Sequence, residues 1–288
     1  NKYQKPSPQF LLNGKTKNLS WQTMIGYNYI DGENLMKNEQ TFTSFTPQKN
    51  LFQENFRITT NRNFYFRTGT NYKINEKSNL LFNYNLNLGN DRDVYSSKTL
   101  GEGIDYKDNG ITKIKNNNNE LSLQYKIKLD TLGKTLDITA FANYFDRNPL
   151  NESRTSVNTF NNSKVDFGLT NYYLKYDFAF PFEKQKFSIN TGGKYNTLKV
   201  NNLGKYNINS ASDAIFNSDI YSSIINFDYT ENNLAFYVEA RKKVKKFNFT
   251  AGLRFEDYHV DRIGKSTGED ETRVQYKNSN FFPNISAL

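Results

Sequence analysis

The sequence predicts an all-β chain, an antiparallel up-and-down barrel of about 10 or 11 strands that crosses a membrane and is only part of a larger closed wall. Three observations predict it: strict alternation of apolar and polar residues, tight turns that alternate with long polar stretches, and aromatic residues gathered at strand ends. In LSLQYKIKL, Leu121, Leu123, Tyr125, Ile127 and Leu129 alternate with Ser122, Gln124, Lys126 and Lys128, the period of two of a strand with one apolar face. After DTLGKT the pattern returns with Leu136, Ile138, Ala140, Ala142 and Tyr144, which reads as an antiparallel hairpin.

The same unit recurs along the chain. Phe64, Phe66, Thr68, Thr70, Tyr72 and Ile74 lead through NEKS to Leu80, Phe82, Tyr84, Leu86 and Leu88. Tyr172, Leu174, Tyr176, Phe178 and Phe180 turn at Pro181 toward Phe187, Ile189 and Thr191. Leu234, Phe236, Val238 and Ala240 pass a basic turn to Phe247, Phe249, Ala251, Leu253 and Phe255. A weaker hairpin joins QFLLN to LSWQTMIGYNYI across GKTKN. Placing apolar residues opposite one another pairs Ile74 with Leu80, Tyr72 with Phe82, Leu129 with Leu136, Ile127 with Ile138 and Val238 with Ala251.

Tight turns are expected at about 13–18, 75–78, 130–134, 181–185 and 242–246. Between them lie 91–118, 147–163 and 198–231, rich in Asn, Asp, Ser, Lys and Gly and including KNNNNE at 115–120. They read as long solvated loops on one end of the barrel. Strands of about ten residues at about 3.3 Å each, tilted by about 45°, give about 23 Å of height, close to the roughly 25 Å apolar band of an outer-membrane barrel. Tyr27, Tyr29, Tyr144, Tyr172 and Phe255 fit interfacial girdles. The apolar face is therefore expected to touch outer-membrane lipid and the polar face to line a lumen. The alternatives are a soluble surface β-sandwich adhesin or binding protein, whose strands also alternate, and a smaller stand-alone outer-membrane channel.

Composition excludes several classes. The 288 residues are 36% hydrophobic, with 24 Phe, 20 Tyr, one His and no Cys, and the mean hydropathy is -0.80. No run of about 18 apolar residues exists, so no helical span is present, and no thiolate site can form. The net charge of +9 is scattered, without the basic helix or stacking motif of a nucleic-acid binder. His259 has no nucleophile motif beside it, so no enzyme is expected. DYKDNG at 105–110 and GEDE at 268–271 miss the spacing of a calcium loop and read as loop acids. The Asn-x-Ser/Thr triplets at Asn18, Asn151, Asn161, Asn248 and Asn284 would be glycan acceptors only in a secreted eukaryotic chain. No metal or cofactor is implied.

The segment TENNLAFYVEARKKVKKFNFTAGLRFEDYHV carries Glu231, Ala235-x-Tyr237, a basic turn and Gly252-Leu253-Arg254-x-Glu256. It resembles the barrels of TonB-dependent receptors and the similar outer-membrane β-barrel family, and FFPNISAL resembles the strand start one loop on. That resemblance implies a bacterial outer-membrane location. For the parent protein it implies a gated pore of roughly 22 strands around a plug pulled by TonB, admitting a nutrient ligand. Residues 1–288 then read as a barrel fragment without a plug domain. Glu239, Arg241, Arg254 and Glu256 are expected as a charge lattice on the lumen face, pairing across the hairpin or touching a plug. Tyr95, Tyr106, Tyr206 and Tyr221, in the predicted loops, are the candidate ligand-binding residues.

Overall fold

The computed structural model describes residues 7–42, 49–156, 159–210 and 220–287. They form one sheet of eleven antiparallel strands in chain order, each paired with its sequence neighbours. The strands are β1 (Gln9–Lys15), β2 (Leu19–Phe42), β3 (Lys49–Lys73), β4 (Ser78–Gly101), β5 (Ile104–Lys128), β6 (Thr135–Thr155), β7 (Thr159–Phe182), β8 (Phe187–Ser210), β9 (Ile220–Val244), β10 (Phe247–Ser266) and β11 (Thr272–Ala287). No ladder joins β1 to β11 among the described residues. A single sheet replaces the two packed sheets of the sandwich alternative.

The five tight turns are present at one end. The β9–β10 turn is two residues, with Lys245 in the left-handed region at φ 54°. The β7–β8 turn closes through a single 3-10 turn at Glu183–Gln185, with left-handed Lys186 behind it. Their lengths correct the predicted pairings by two residues. Leu80 faces Tyr72, Phe82 faces Thr70, Leu136 faces Ile127, Ile138 faces Tyr125, and Val238 faces Leu253. A shift of two preserves the face. The apolar residues of every predicted hairpin consequently fall on one side of the whole sheet, here called the outer face.

Strand length is the larger correction. β2 to β11 run from 16 to 25 residues, not ten, and most of the predicted loops are strand. Residues 91–118 hold the end of β4, a two-residue turn at Glu102 and Gly103, and the start of β5. Gly103 takes φ 73°, which suits a residue without Cβ. Likewise 147–163 and 198–231 are mostly β6–β7 and β8–β9. KNNNNE lies inside β5, where side chains hold the ladder. Asn116 donates to Asp91 (3.1 Å), Asn117 to Asp146 (3.2 Å), Asn119 accepts from the Tyr84 hydroxyl (2.9 Å), and Asn118 accepts from Asn143 (2.8 Å). FFPNISA closes β11, which begins at Thr272, and is not a strand start; Leu288 lies outside the described residues.

The register reveals the tilt. A row across the sheet through Leu88 of β4 passes Asn117, Asp146, Gly168, Asn201 and Asp228 and reaches Ile263 of β10. The alternating apolar run ends at Leu88 on β4 but at Phe255 on β10, eight residues short of that row. Its lower edge, from Leu80 to Phe247, is displaced by the same amount. Eight residues are about 26 Å along a strand, and six strand spacings are about 29 Å, so the band edge crosses the strands at the slope of a tilt of about 40°. Each five-residue apolar run then rises about 20 Å. Strands of 24 residues rise nearly 60 Å at this tilt and project far past the band at the end away from the tight turns.

Burial agrees with a wall rather than a globule. Ala235 is the one buried hydrophobic residue among those described, while Leu174 (56%), Val238 (48%) and Phe249 (45%) stand exposed on the outer face. An apolar belt of this size in water would be an aggregation surface.

Candidate functional site: the inner face

The face opposite the apolar belt carries the chemistry. At the level of the belt, the Tyr237 hydroxyl donates to Asp177 (2.8 Å), which also pairs with Lys175 (2.7 Å). Gln124 donates to both oxygens of Asp137 (2.9 and 2.8 Å), with Lys126 3.5 Å away. Tyr173 stacks on Phe141 with ring centroids 4.9 Å apart and receives the Lys194 ammonium 4.8 Å from its centroid. Glu239, Arg241, Arg254 and Glu256 share this face, as the alternation predicts. Their pairing differs from the expectation: Arg241 donates to Glu239 (2.7 Å) and Arg254 to Glu256, each along its own strand. The reason is the register. Glu239 faces Gly252, Arg254 faces Tyr237 and Glu256 faces Ala235, so the i, i+2 neighbour is the nearest opposite charge.

The predicted ligand residues sit on strands, not loops. Tyr95 and Tyr106 lie on the inner face of β4 and β5, and Tyr206 on that of β8. Tyr221 is in β9, with its side chain outside the described set. Tyr95 donates to Asp108 (3.3 Å) across the cleft left by Gly110, whose Cβ position would be 2.6 Å from the Tyr95 ring. Burial raises the Tyr95 phenol, and the Asp108 carboxylate adds to the rise. Tyr206 packs on Gly204. β5 and β8 are three strands apart, about 14 Å across the sheet, so the structure does not bring these tyrosines into one cluster.

Beyond the belt the inner face gains an aromatic row that the sequence reading passed over. Phe145 meets Phe167 edge-on at 6.0 Å, Phe227 stacks on Tyr229 at 6.5 Å, and Tyr258 meets Tyr276 at 6.4 Å. The Tyr229 hydroxyl donates to Glu231 (2.7 Å) and lies 3.4 Å from that of Tyr258. The bond with Tyr258, burial and the Glu231 carboxylate all raise the Tyr229 phenol. The signal was present as a change of side on part of the sheet: beyond the belt on β9 and β10, Ile225, Phe227, Tyr229, Tyr258 and Val260 take the inner parity, whereas on β3 to β5 Phe56, Ile58, Val94 and Ile111 keep the outer one. Away from that row, on the inner face of β4, Asp93 is 6% exposed and holds Arg57. Burial pulls its carboxyl up, but the Arg57 and Thr59 hydrogen bonds outweigh burial and leave it below the usual carboxylate value. Burial raises the Asp91 carboxyl, which Asn116 only partly offsets.

His259 lies on the outer face of β10, and residues 105–110 are strand. No group of three or more His, Cys, Asp or Glu among the described residues is arranged to hold a metal.

The comparisons agree with this architecture. The chain is similar in fold to the ferric citrate transporter FecA in its unliganded form, with a TM-score of 0.50 and 13% identity over 97% of this chain and 41% of that one. The siderophore receptor PiuA from Acinetobacter baumannii aligns with a TM-score of 0.49 and 12% identity over 98% of this chain and 46% of that one. The chain thus spans less than half the length of either. None of the curated proteins matches it. The profile of the outer membrane protein beta-barrel family matches residues 113–288. That span covers β6 to β11 and most of β5, and the chain belongs to this outer-membrane family.

Proposed function

We propose that this chain forms part of the wall of a bacterial outer-membrane receptor that takes up a nutrient ligand, with a plug domain and TonB as partners of the whole protein. The observation that carries the reading is the sidedness of the sheet. A lipid-facing belt backs a charged, hydrogen-bonded inner face at membrane level, and the projecting strands place tyrosines and phenylalanines on that same inner face. A hydrated lumen below an aromatic vestibule is an arrangement that captures a ligand before passing it inward. The likeness of nearly the whole chain to part of the ferric citrate transporter supports a receptor-sized barrel. In this reading the end with tight turns is periplasmic and the projecting strands are external. The test is growth of a gene-deleted strain on a panel of limiting iron chelates, cobalamin and oligosaccharides, with the full-length gene restored. The reading expects a defect on one nutrient that restoration repairs and that loss of TonB reproduces. Identical growth of deleted and restored strains on every nutrient would overturn it.

A further inference from the structure

The outer face of the β3–β5 sector carries a charge arrangement invisible in the linear sequence. Between residues 80 and 100 of β4 and 107 and 127 of β5, the outward positions include Arg92, Lys98, Lys107, Lys113 and Lys115 and no carboxylate. The register sets Arg92 directly opposite Lys113, and Lys98 directly opposite Lys107. Like charges directly opposed destabilise a ladder unless an anion lies between them. Arg62 adjoins from β3, its guanidinium over the Tyr29 ring at 5.5 Å. Neighbouring outward acids offset the cluster only in part, and Asp31 and Asp146 each stand one outward position along from the residue that faces Arg62 or Lys115. Glu152 lies 3.8 Å from Lys113, and Glu54, which faces Lys98, is held by Lys37 at 3.0 Å. Arg92 and Lys115 form no ion pair with a described residue.

Position identifies the anion. Arg92 follows Leu88, where the unbroken outward apolar run of β4 ends, by four residues, about 10 Å of height at the derived tilt. This is headgroup depth, just above the lipid belt. A guanidinium and two ammonium groups on adjacent strands match the oxygens of phosphate esters, and juxtamembrane cation clusters hold anionic headgroups. We propose that Arg62, Arg92, Lys113 and Lys115 bind the phosphates of a phosphorylated glycolipid of the outer leaflet, whose acyl chains lie along Leu80, Phe82, Leu86 and Leu88. The leaflet rests on the orientation given under Proposed function.

The test uses the full-length protein in detergent, titrated with a bisphosphorylated lipid A, the same glycolipid without phosphates, and inorganic phosphate, read by thermal shift and native mass spectrometry. The expected result is stabilisation by the phosphorylated glycolipid alone. Arg92→Gln with Lys113→Gln and Lys115→Gln should weaken that binding about thirty-fold or more, whereas Lys265→Gln on distant β10 should leave it unchanged. Equal binding of the dephosphorylated lipid, competition by inorganic phosphate at equal concentration, or an unaffected triple variant would overturn the proposal. If the triple variant fails to assemble, single Arg92→Gln and the charge-keeping Arg92→Lys with Lys113→Arg give the same contrast. Glu102→Cys, probed on intact cells with an impermeant maleimide, reads orientation separately. Labelling places the site in the outer leaflet; no labelling with lipid binding intact overturns the orientation and with it the outer-leaflet assignment.

Discussion

Leu123→Lys and Gln124→Lys place one charge at adjacent positions of β5 with opposite consequences. Leu123 is outward, 41% exposed and flanked by Phe82 and Ala140. The row through it meets the lower half of the β4 apolar run, and with the derived slope it stands close to the middle of the belt. A lysine there is left in hydrocarbon and costs about 2–4 kcal/mol, which divides the folded-to-unfolded ratio by about thirty to several hundred. Gln124 is inward and already donates two hydrogen bonds to Asp137. A lysine there keeps a donor for that carboxylate in a hydrated lumen, so the change stays below about 1 kcal/mol. The assay is urea titration of the full-length protein refolded into vesicles, with the midpoint and slope of each variant compared with the parent. Equal losses at the two positions, or the larger loss at Gln124→Lys, would refute the assignment of faces.

Four further outcomes follow from the projecting strands. Excising residues 91–100 together with 105–114 rejoins Asn90 to Gly101 and Ile104 to Lys115, keeps every inward position inward, and shortens the hairpin by about 33 Å of strand. The barrel should assemble while ligand uptake falls, and failure to assemble would make this extension part of the folding unit. Gly110→Val would drive a side chain into the Tyr95 ring and destabilise the extension by about 1–3 kcal/mol, seen as faster amide exchange in β4 and β5 but not in the belt. The Asp93 carboxyl lies below its unfolded value, so its contribution is full above about pH 4 and is lost as pH falls through the folded value. Asp93→Asn should remove that acid-side loss of protection. Asp91, raised by burial, has the opposite sign, so Asp91→Asn should increase protection at neutral pH.

What could be read in the sequence was the part of each strand that touches lipid. There an apolar outward residue alternates with Asn, Lys or Gln, and contrast between neighbours is the whole of the strand signal. Asn116, Asn117, Asn118 and Asn119 have no such contrast, because both faces of β5 at that height are polar. Their strand identity comes from cross-strand partners such as Asp91, Asp146 and Asn143, residues remote in sequence. The faces of Glu239 and Arg254 were legible from the same alternation. Their partners were not, since a shift of two residues in the β9–β10 pairing leaves the face intact and changes every neighbour. The tyrosines at Tyr229, Tyr258 and Tyr276 were hidden for a related reason. They are inward, on the parity opposite to the belt, so the alternation of Ile225, Phe227 and Tyr229 with Asn226, Asp228 and Thr230 read as part of a polar connection rather than as strand.

Lipid contact along one strand tests the central claim most directly. Nitroxide labels placed singly from Lys107 to Lys128 of β5, in the full-length protein reconstituted in vesicles, report accessibility to oxygen and to a water-soluble nickel chelate. The structure predicts oxygen maxima at positions 121, 123, 125 and 127, nickel maxima at 122, 124 and 126, and loss of the oxygen maxima over 107–115, where the strand has left the belt. An inverted alternation, or equal aqueous exposure of both faces from 121 to 127, would contradict a lipid-facing wall.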